Sequence, residues 1–238
     1  MNLVCKIRKK LPPFDLSIDL FCPAKSMTVI IGPSGAGKTT LIRVLAGLET
    51  PDTGTIRFGS DLWLDTGHRV ALPTRKRRLG YVFQDYTLFP HLTIAQNAAF
   101  AARDRDRVQR LLEMFGLAAL QDRKPAAVSG GERQRCAICQ ALASEPRLLL
   151  LDEPFSALDV FTRRDLRSRL RSMIAELDLT VVYVTHDITE ALYLADNLVP
   201  VVEGRIDDGW LQRSITQVET GGGNRSRSVR EPRLAIVY

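Results

Sequence analysis

The sequence predicts an α/β fold: a mixed sheet with an antiparallel β piece near its start, a buried parallel part, and an inserted α-helical subdomain. Three observations predict it. Short strand-like runs alternate with helical runs, and the later strands are rich in Leu and Val, as strands buried on both faces are. A glycine-rich loop, Gly32–Thr40, joins a strand pattern to a helix pattern. Between Gln84 and Ser144 the strand signals vanish. The 238 residues suit one large domain with a smaller lobe.

The strands expected in order are Leu3–Ile7, Leu16–Leu20, Met27–Ile31, Thr55–Phe58, Leu79–Val82, Leu148–Leu151, Thr180–Val184 and Asn197–Val202. The early ones lie close together, which suggests antiparallel pairing; the later ones are separated by helices. Thr40–Ala46 reads as the helix after the glycine loop. Thr93–Ala102, Arg105–Phe115 and Gly131–Ser144 read as helices of the inserted lobe, placed at about residues 85–145. Arg163–Leu177 places Leu166, Leu170, Ile174 and Leu177 on one helix face. After Gly221 the chain is glycine-rich and low in apolar content, and residues 213–238 are expected to form a short flexible tail.

Composition excludes several classes. Apolar residues make up 45% and charged residues 25%, values of an ordinary globular chain. No stretch approaches the roughly 18 apolar residues of a membrane span, and no signal peptide is legible, so a cytoplasmic location is expected. Four cysteines are too few for a disulfide scaffold, and Cys136 and Cys139 read as small buried hydrophobes. The net charge of +6 is concentrated in Gly221–Tyr238 and in Arg75, Lys76, Arg77 and Arg78, read as a solvated tail and a solvated turn. No nucleic-acid stripe runs over the fold.

The chemistry lies in three motifs. Gly32-Pro33-Ser34-Gly35-Ala36-Gly37-Lys38-Thr39-Thr40 matches G-x-x-x-x-G-K-[ST]. Its glycines let backbone N–H groups crowd a phosphate at a helix start. Lys38 supplies a charge to the β- and γ-phosphates of a nucleotide, and the Thr39 hydroxyl can ligate Mg²⁺. Leu148–Leu151 then delivers Asp152 and Glu153 to a strand's C-terminal edge, where α/β sheets bind ligands. Asp152 suits Mg²⁺ held through water, and Glu153 lies near where an attacking water would sit. Ser129, Gly130 and Gly131 open another helix, with Ser129 at the N-cap, and form a second anion site. One nucleotide can use both sites only if they face each other across an interface.

This set resembles the ATP-binding subunit of an ABC transporter over about Leu3–Gln212. The order is Walker A at Gly32–Thr39, Gln84, the signature at Val128–Gln134, Walker B at Leu148–Asp152 with Glu153, Ser156–Asp159, and His186. The resemblance implies a P-loop NTPase core, ATP and Mg²⁺ as ligands, and ATP hydrolysis coupled to transport. It implies that Gln84 senses Mg²⁺ and the attacking water, that Glu153 is the general base, that His186 contacts the γ-phosphate, and that Asp159 lies at a dimer seam. It also implies a head-to-tail dimer of two copies, in which Ser129, Gly130 and Gly131 of one close over ATP on the other. Transmembrane permease subunits are further partners, with a substrate-binding protein acting indirectly, and the chain works peripherally on the cytoplasmic face of the membrane.

Some positions depart from the family pattern. Val128 stands where Leu is usual, Glu132 where Gln is common, and Gln140 where Arg is usual. Phe14 is the sole candidate for adenine stacking and reads equally as core. Asp61–Asp65, Leu72–Gln84 and Leu88–Thr93 are similar to importer ATPases for molybdate and related oxyanions. The motifs are shared with sulfate, iron(III) and polyamine importers. Relatives continue into a regulatory β-domain, so substrate-sensing inhibition of that kind is expected to be absent. Leu88, Phe89 and Pro90 read as a permease-docking groove or as lobe core. A soluble ABC ATPase acting on DNA or translation, or a non-hydrolysing nucleotide-binding adaptor, are the competing readings.

Overall fold

The computed structural model describes residues 1–85, 87–156, 158, 160–221 and 233–234. The elements in chain order begin with β1 (Leu3–Leu11), β2 (Phe14–Cys22), β3 (Met27–Ile31), α1 (Lys38–Ala46), β4 (Thr53–Phe58), β5 (Asp61–Asp65) and β6 (Val70–Ala71). Then come β7 (Leu79–Val82), α2 (Ile94–Ala98), α3 (Arg105–Met114), α4 (Gly130–Ala143), β8 (Leu148–Asp152) and α5 (Val160–Leu177). The last are β9 (Thr180–Thr185), α6 (Ile188–Leu194), β10 (Asn197–Val202), β11 (Arg205–Ile206), α7 (Asp208–Gly221) and β12 (Arg233–Leu234). They divide into two compact units: the described residues of Met1–Arg77 and Asp178–Tyr238, and Arg78–Leu177.

In the first unit an antiparallel sheet runs β2-β1-β4-β5-β6. Alternation sets its register. Leu3, Cys5 and Ile7 of β1 face inward and stand opposite Cys22, Leu20 and Ile18 of β2, so a slip of one residue would turn the whole row to solvent. On the other side Leu3 and Cys5 oppose Phe58 and Ile56 of β4. The same unit holds parallel strands in the order β10-β3-β9, and every residue of β3 and β9 is buried. Continuous burial on both faces explains why Met27–Ile31 and Thr180–Thr185 carry no polar alternation.

The expectation that Arg77 belongs to a solvated turn is corrected. Arg77 is 4% exposed. Its guanidinium donates to the carbonyls of Leu72 (2.9 Å), Leu45 (2.7 Å) and Val44 (3.2 Å), and lies 5.4 Å from the centre of the Trp63 ring. Val44 and Leu45 are in the last turn of α1, where carbonyls lack intrahelical partners and the helix dipole favours a cation. Burial lowers its pKa to about 10, which leaves it charged. Four consecutive basic residues cannot reveal such a role, because it depends on where a distant helix ends.

In the second unit β7 and β8 pair in parallel, Leu79 opposite Leu148 through Val82 opposite Leu151. Helices α2 and α3 pack on α4. The Cys136 thiol points at the Ile94 carbonyl (3.5 Å) and the Cys139 thiol at the Leu111 carbonyl (3.6 Å). Both are buried, and desolvation pushes Cys136 up to about 12 and raises Cys139, so they act as small apolar residues. The helix expected over Thr93–Ala102 ends at Ala98, because Phe100 and Ala102 bond to Asn97 and Ala99 three residues back and tighten the chain into turns. Residues 213–221, expected in the tail, belong to α7 (Asp208–Gly221), in which Leu211 and Ser214 are buried. Among the described residues no helix is long and apolar enough to cross a membrane.

Candidate functional site

The first unit builds a glycine-rich cradle between β3 and α1. Strand β3 ends at Ile31, paired with Thr185 of β9 and Pro200 of β10, so Gly32 and His186 leave neighbouring strands at the same edge. Gly32 has no room for a side chain: a Cβ there would meet the Val201 carbonyl oxygen at 1.9 Å. Gly37 adopts φ 94°, a left-handed conformation that turns the loop into α1 with little steric cost only for glycine. Pro33, Ser34, Gly35 and Thr39 are exposed on the crest, Thr40 is half-buried, and Ala36 is buried, bonded to Pro33 through its N–H and to Gly204 through its carbonyl.

Lys38 is 4% exposed and its Nζ donates to the carbonyls of Gly32 and Pro33, at 2.8 Å each. The ammonium thus spans the loop from inside. Phe14, weighed for adenine stacking, packs its ring against Gly37 and Gly204. His186 is exposed at the end of β9.

The second unit gathers the acids. With Val82 opposite Leu151, the parallel register carries the chain to Asp152 on β8 and to Gln84 just past β7 at one edge. Asp152 is 2% exposed and accepts a hydrogen bond from the Tyr81 hydroxyl at 3.3 Å. Glu153 is half-buried with φ 46°, unusual for a residue with a side chain and strained at a cost of about 1 kcal/mol or more. Its carbonyl accepts from both the N–H (3.2 Å) and the hydroxyl (3.0 Å) of Ser156, which closes the turn after β8. Gln84 is exposed in a turn. Asp159 lies outside the described residues.

The signature start belongs to the same unit. Ser129 caps α4 through a capping box: its hydroxyl accepts from Glu132 N–H (3.3 Å) and Glu132 Oε2 accepts from Ser129 N–H (2.7 Å). This accounts for Glu132, whose pKa is lowered chiefly by the Ser129 N–H. Gly131 lies against Leu158, where a Cβ would come within 3.0 Å of the leucine side chain. Gly130 is half-buried, and a Cβ there would reach ordinary contact with the Arg133 guanidinium at 3.9 Å.

Each unit therefore brings together its own share of the expected residues. The first holds Gly32–Thr40 and His186; the second holds Gln84, Asp152, Glu153, Ser129, Gly130 and Gly131. Sequence reasoning missed Tyr81 on β7, whose ring lies 4.1 Å from that of Phe83 just past the strand; only the aromatic pair at i and i+2 was readable beforehand. It also missed Thr185 and Glu190 beside His186.

Taken unit by unit, the first carries the Thr39 hydroxyl and the second the buried Asp152 carboxylate, each an oxygen donor of the chemical kind that suits Mg²⁺.

The ABC transporter family matches residues 16–156. The chain belongs to that family. It is 44% identical over 200 residues to the molybdenum import ATP-binding protein of Methylococcus capsulatus, covering 82% of this chain and 56% of the relative. To the molybdate/tungstate import ATP-binding protein of Archaeoglobus fulgidus it is 43% identical over 228 residues, covering 93% and 92%. The sulfate/thiosulfate import ATP-binding protein of Mycolicibacterium paratuberculosis is 44% identical over 199 residues, covering 80% and 53%. The chain spans about half the length of the first and third of these relatives. Among solved structures, a dimeric post-hydrolysis state of an ATP-binding cassette with ADP and Pi superposes with TM-score 0.73 at 30% identity, covering 87% of this chain and 97% of that one. The family's fold is the P-loop NTPase α/β fold expected for this chain, and ATP binding is its shared property.

Proposed function

We propose that the chain is the ATP-hydrolysing subunit of an importer for molybdate or a related oxyanion. The observation that carries the reading is the phosphate cradle, with Lys38 buried under a loop that only glycine can build at position 32. In this reading the N–H groups of Gly35–Thr40 and the Lys38 ammonium hold the β- and γ-phosphates. Thr39 and Asp152 would hold Mg²⁺, Asp152 through water, and the ion would neutralise charge on the transferring phosphoryl group. Glu153 takes the proton of the attacking water, Gln84 orients that water, and His186 contacts the γ-phosphate. The dimeric cassette with ADP and Pi supports a two-copy arrangement in which Ser129, Gly130 and Gly131 of one copy complete the site on the other.

Membrane permease subunits are the proposed partners, with the chain on their cytoplasmic side and a substrate-binding protein delivering cargo to them. Phe89 and Phe100, with ring centres 4.3 Å apart and Phe100 60% exposed, support an apolar docking surface beside Gln84. The sulfate/thiosulfate relative matches as well as the molybdenum one, so sulfate is the second reading for the cargo. Binding of each oxyanion to the cognate substrate-binding protein separates the two.

The test of the chemistry is Glu153→Gln. It is expected to keep ATP affinity within about 3-fold and to lower turnover by about 100-fold or more, as loss of a general base does. Phosphate release at the wild-type rate would overturn the assignment.

A further inference from the structure

The turn that carries His186 is enclosed by a ring of three hydrogen bonds. Thr185 Oγ1 donates to Glu190 Oε2 at 2.6 Å, Glu190 N–H donates to Asp187 Oδ1 at 3.0 Å, and Asp187 N–H donates to Thr185 Oγ1 at 3.1 Å. Asp187 is an ordinary N-cap for α6. Glu190 is not ordinary. Three residues after an N-cap, a glutamate commonly folds back onto the cap's own N–H. Here the Asp187 N–H goes to the Thr185 hydroxyl instead, and the Glu190 carboxylate reaches past it to the same hydroxyl.

That arrangement is costly to build. Glu190 is 4% exposed and Thr185 2%. A carboxylate loses its hydration on burial and is retained only where hydrogen bonds compensate. An apolar side chain would fill the same space without that cost. The ring instead anchors both neighbours of an exposed residue: Thr185 is held in the sheet opposite Ile31, and Asp187 is tied to the helix. His186 itself stays exposed at the edge where the phosphate loop begins.

We infer that Glu190 is a positioning residue that fixes the direction of His186 through Thr185 and Asp187. The inference rests on the reading of His186 as the γ-phosphate contact. Loss of the carboxylate frees the Thr185 hydroxyl to rotate, which loosens the Asp187 N–H and lets the histidine backbone swing. The phosphate loop, held by its own bonds, is untouched.

The experiment measures Mg²⁺-ATP turnover and ATP affinity of the full chain, assembled with its membrane partner, for wild type, Glu190→Ala, Glu190→Gln, Thr185→Val, His186→Ala and the Glu190→Ala/His186→Ala double variant. Glu190→Ala is expected to lower kcat about 10-fold or more with ATP affinity within about 2-fold, the pattern of an interaction used only in the transition state. Glu190→Gln keeps an oxygen acceptor and is expected to recover kcat to within about 3-fold of wild type. In the double variant the Glu190 change should cost nothing beyond His186→Ala, because a residue acting through another is non-additive with it.

A Glu190→Ala kcat within 2-fold of wild type, or an additive double variant, overturns the inference. If Glu190→Ala does not fold, Thr185→Val, which removes the hydroxyl from the ring, must show the same split and the same non-additivity, or the inference fails. A His186→Ala chain with normal turnover would instead remove the assignment of His186, and a wild-type chain without turnover the proposed function itself; each is distinguishable from a failure at Glu190.

Discussion

The two helix starts that carry glycines, α1 after the phosphate loop and α4 after Ser129, reach opposite solutions to one problem. Both begin with N–H groups that lack intrahelical partners. At α4 the chain answers with its own side chains, since Ser129 and Glu132 satisfy each other's N–H groups. At α1 no side chain caps the start: Gly37 occupies the N-cap position in a left-handed conformation and makes no side-chain hydrogen bond. Its cation is turned inward onto carbonyls instead. In the proposed function, the α1 start takes a phosphate as its cap. The other is already capped by its own side chains, with Gly131 lying against Leu158.

The contrast can be broken most severely at Gly32. Gly32→Ala puts a methyl 1.9 Å from the Val201 carbonyl oxygen, a backbone atom of β10 that no side-chain rotation can move aside. Destabilisation of about 3 kcal/mol or more is expected, read by chemical denaturation, together with loss of ATP binding. An unchanged midpoint would mean that the strands separate more easily than this packing implies.

Ser129→Ala should act more mildly, costing about 1 kcal/mol as a lost N-cap while ATP affinity of the single chain stays within 2-fold. Denaturation and equilibrium nucleotide binding read the two effects separately. A large loss of single-chain binding would erase the distinction between the two helix starts.

The smallest effect belongs to Glu132→Gln, because glutamine also completes a capping box; a change under about 0.5 kcal/mol is expected at neutral pH. The two chains should diverge in acid. The Glu132 pKa is depressed in the folded chain, so its contribution is present above the ordinary carboxylate value of about 4.3 and is lost as pH falls through the folded value. Melting temperatures compared between pH 7 and pH 3 should therefore fall more for wild type than for Glu132→Gln. Parallel falls would show that the box is not charge-dependent.

Much of this was legible beforehand because it is local. Gly32–Thr39, Ser129–Gly131 and Asp152–Glu153 are contiguous motifs whose chemistry follows from residue type and spacing. The strands β3, β8 and β9 were readable from continuous apolar runs. What escaped was decided at a distance. The strand β5 (Asp61–Asp65) alternates too little to announce itself, with Trp63 and Leu64 both buried. Helix α6 has only seven residues, and the caps of α6 and α7, Asp187 and the Asp207 acceptor for Trp210 N–H, became visible only once the neighbouring strands were placed.

The sequence by itself determined the family, through the order of its motifs, and the residues of the glycine loop and the paired acids, because each motif is a run of neighbours that residue type and spacing define. Tertiary structure alone decided that Arg77 is a buried staple at the end of α1, that Tyr81 steadies Asp152, and that Glu190 encloses the turn of His186. Those roles depend on which hydrogen-bond acceptors folding brings within about 3 Å of a side chain, and a linear order of residues does not contain that distance.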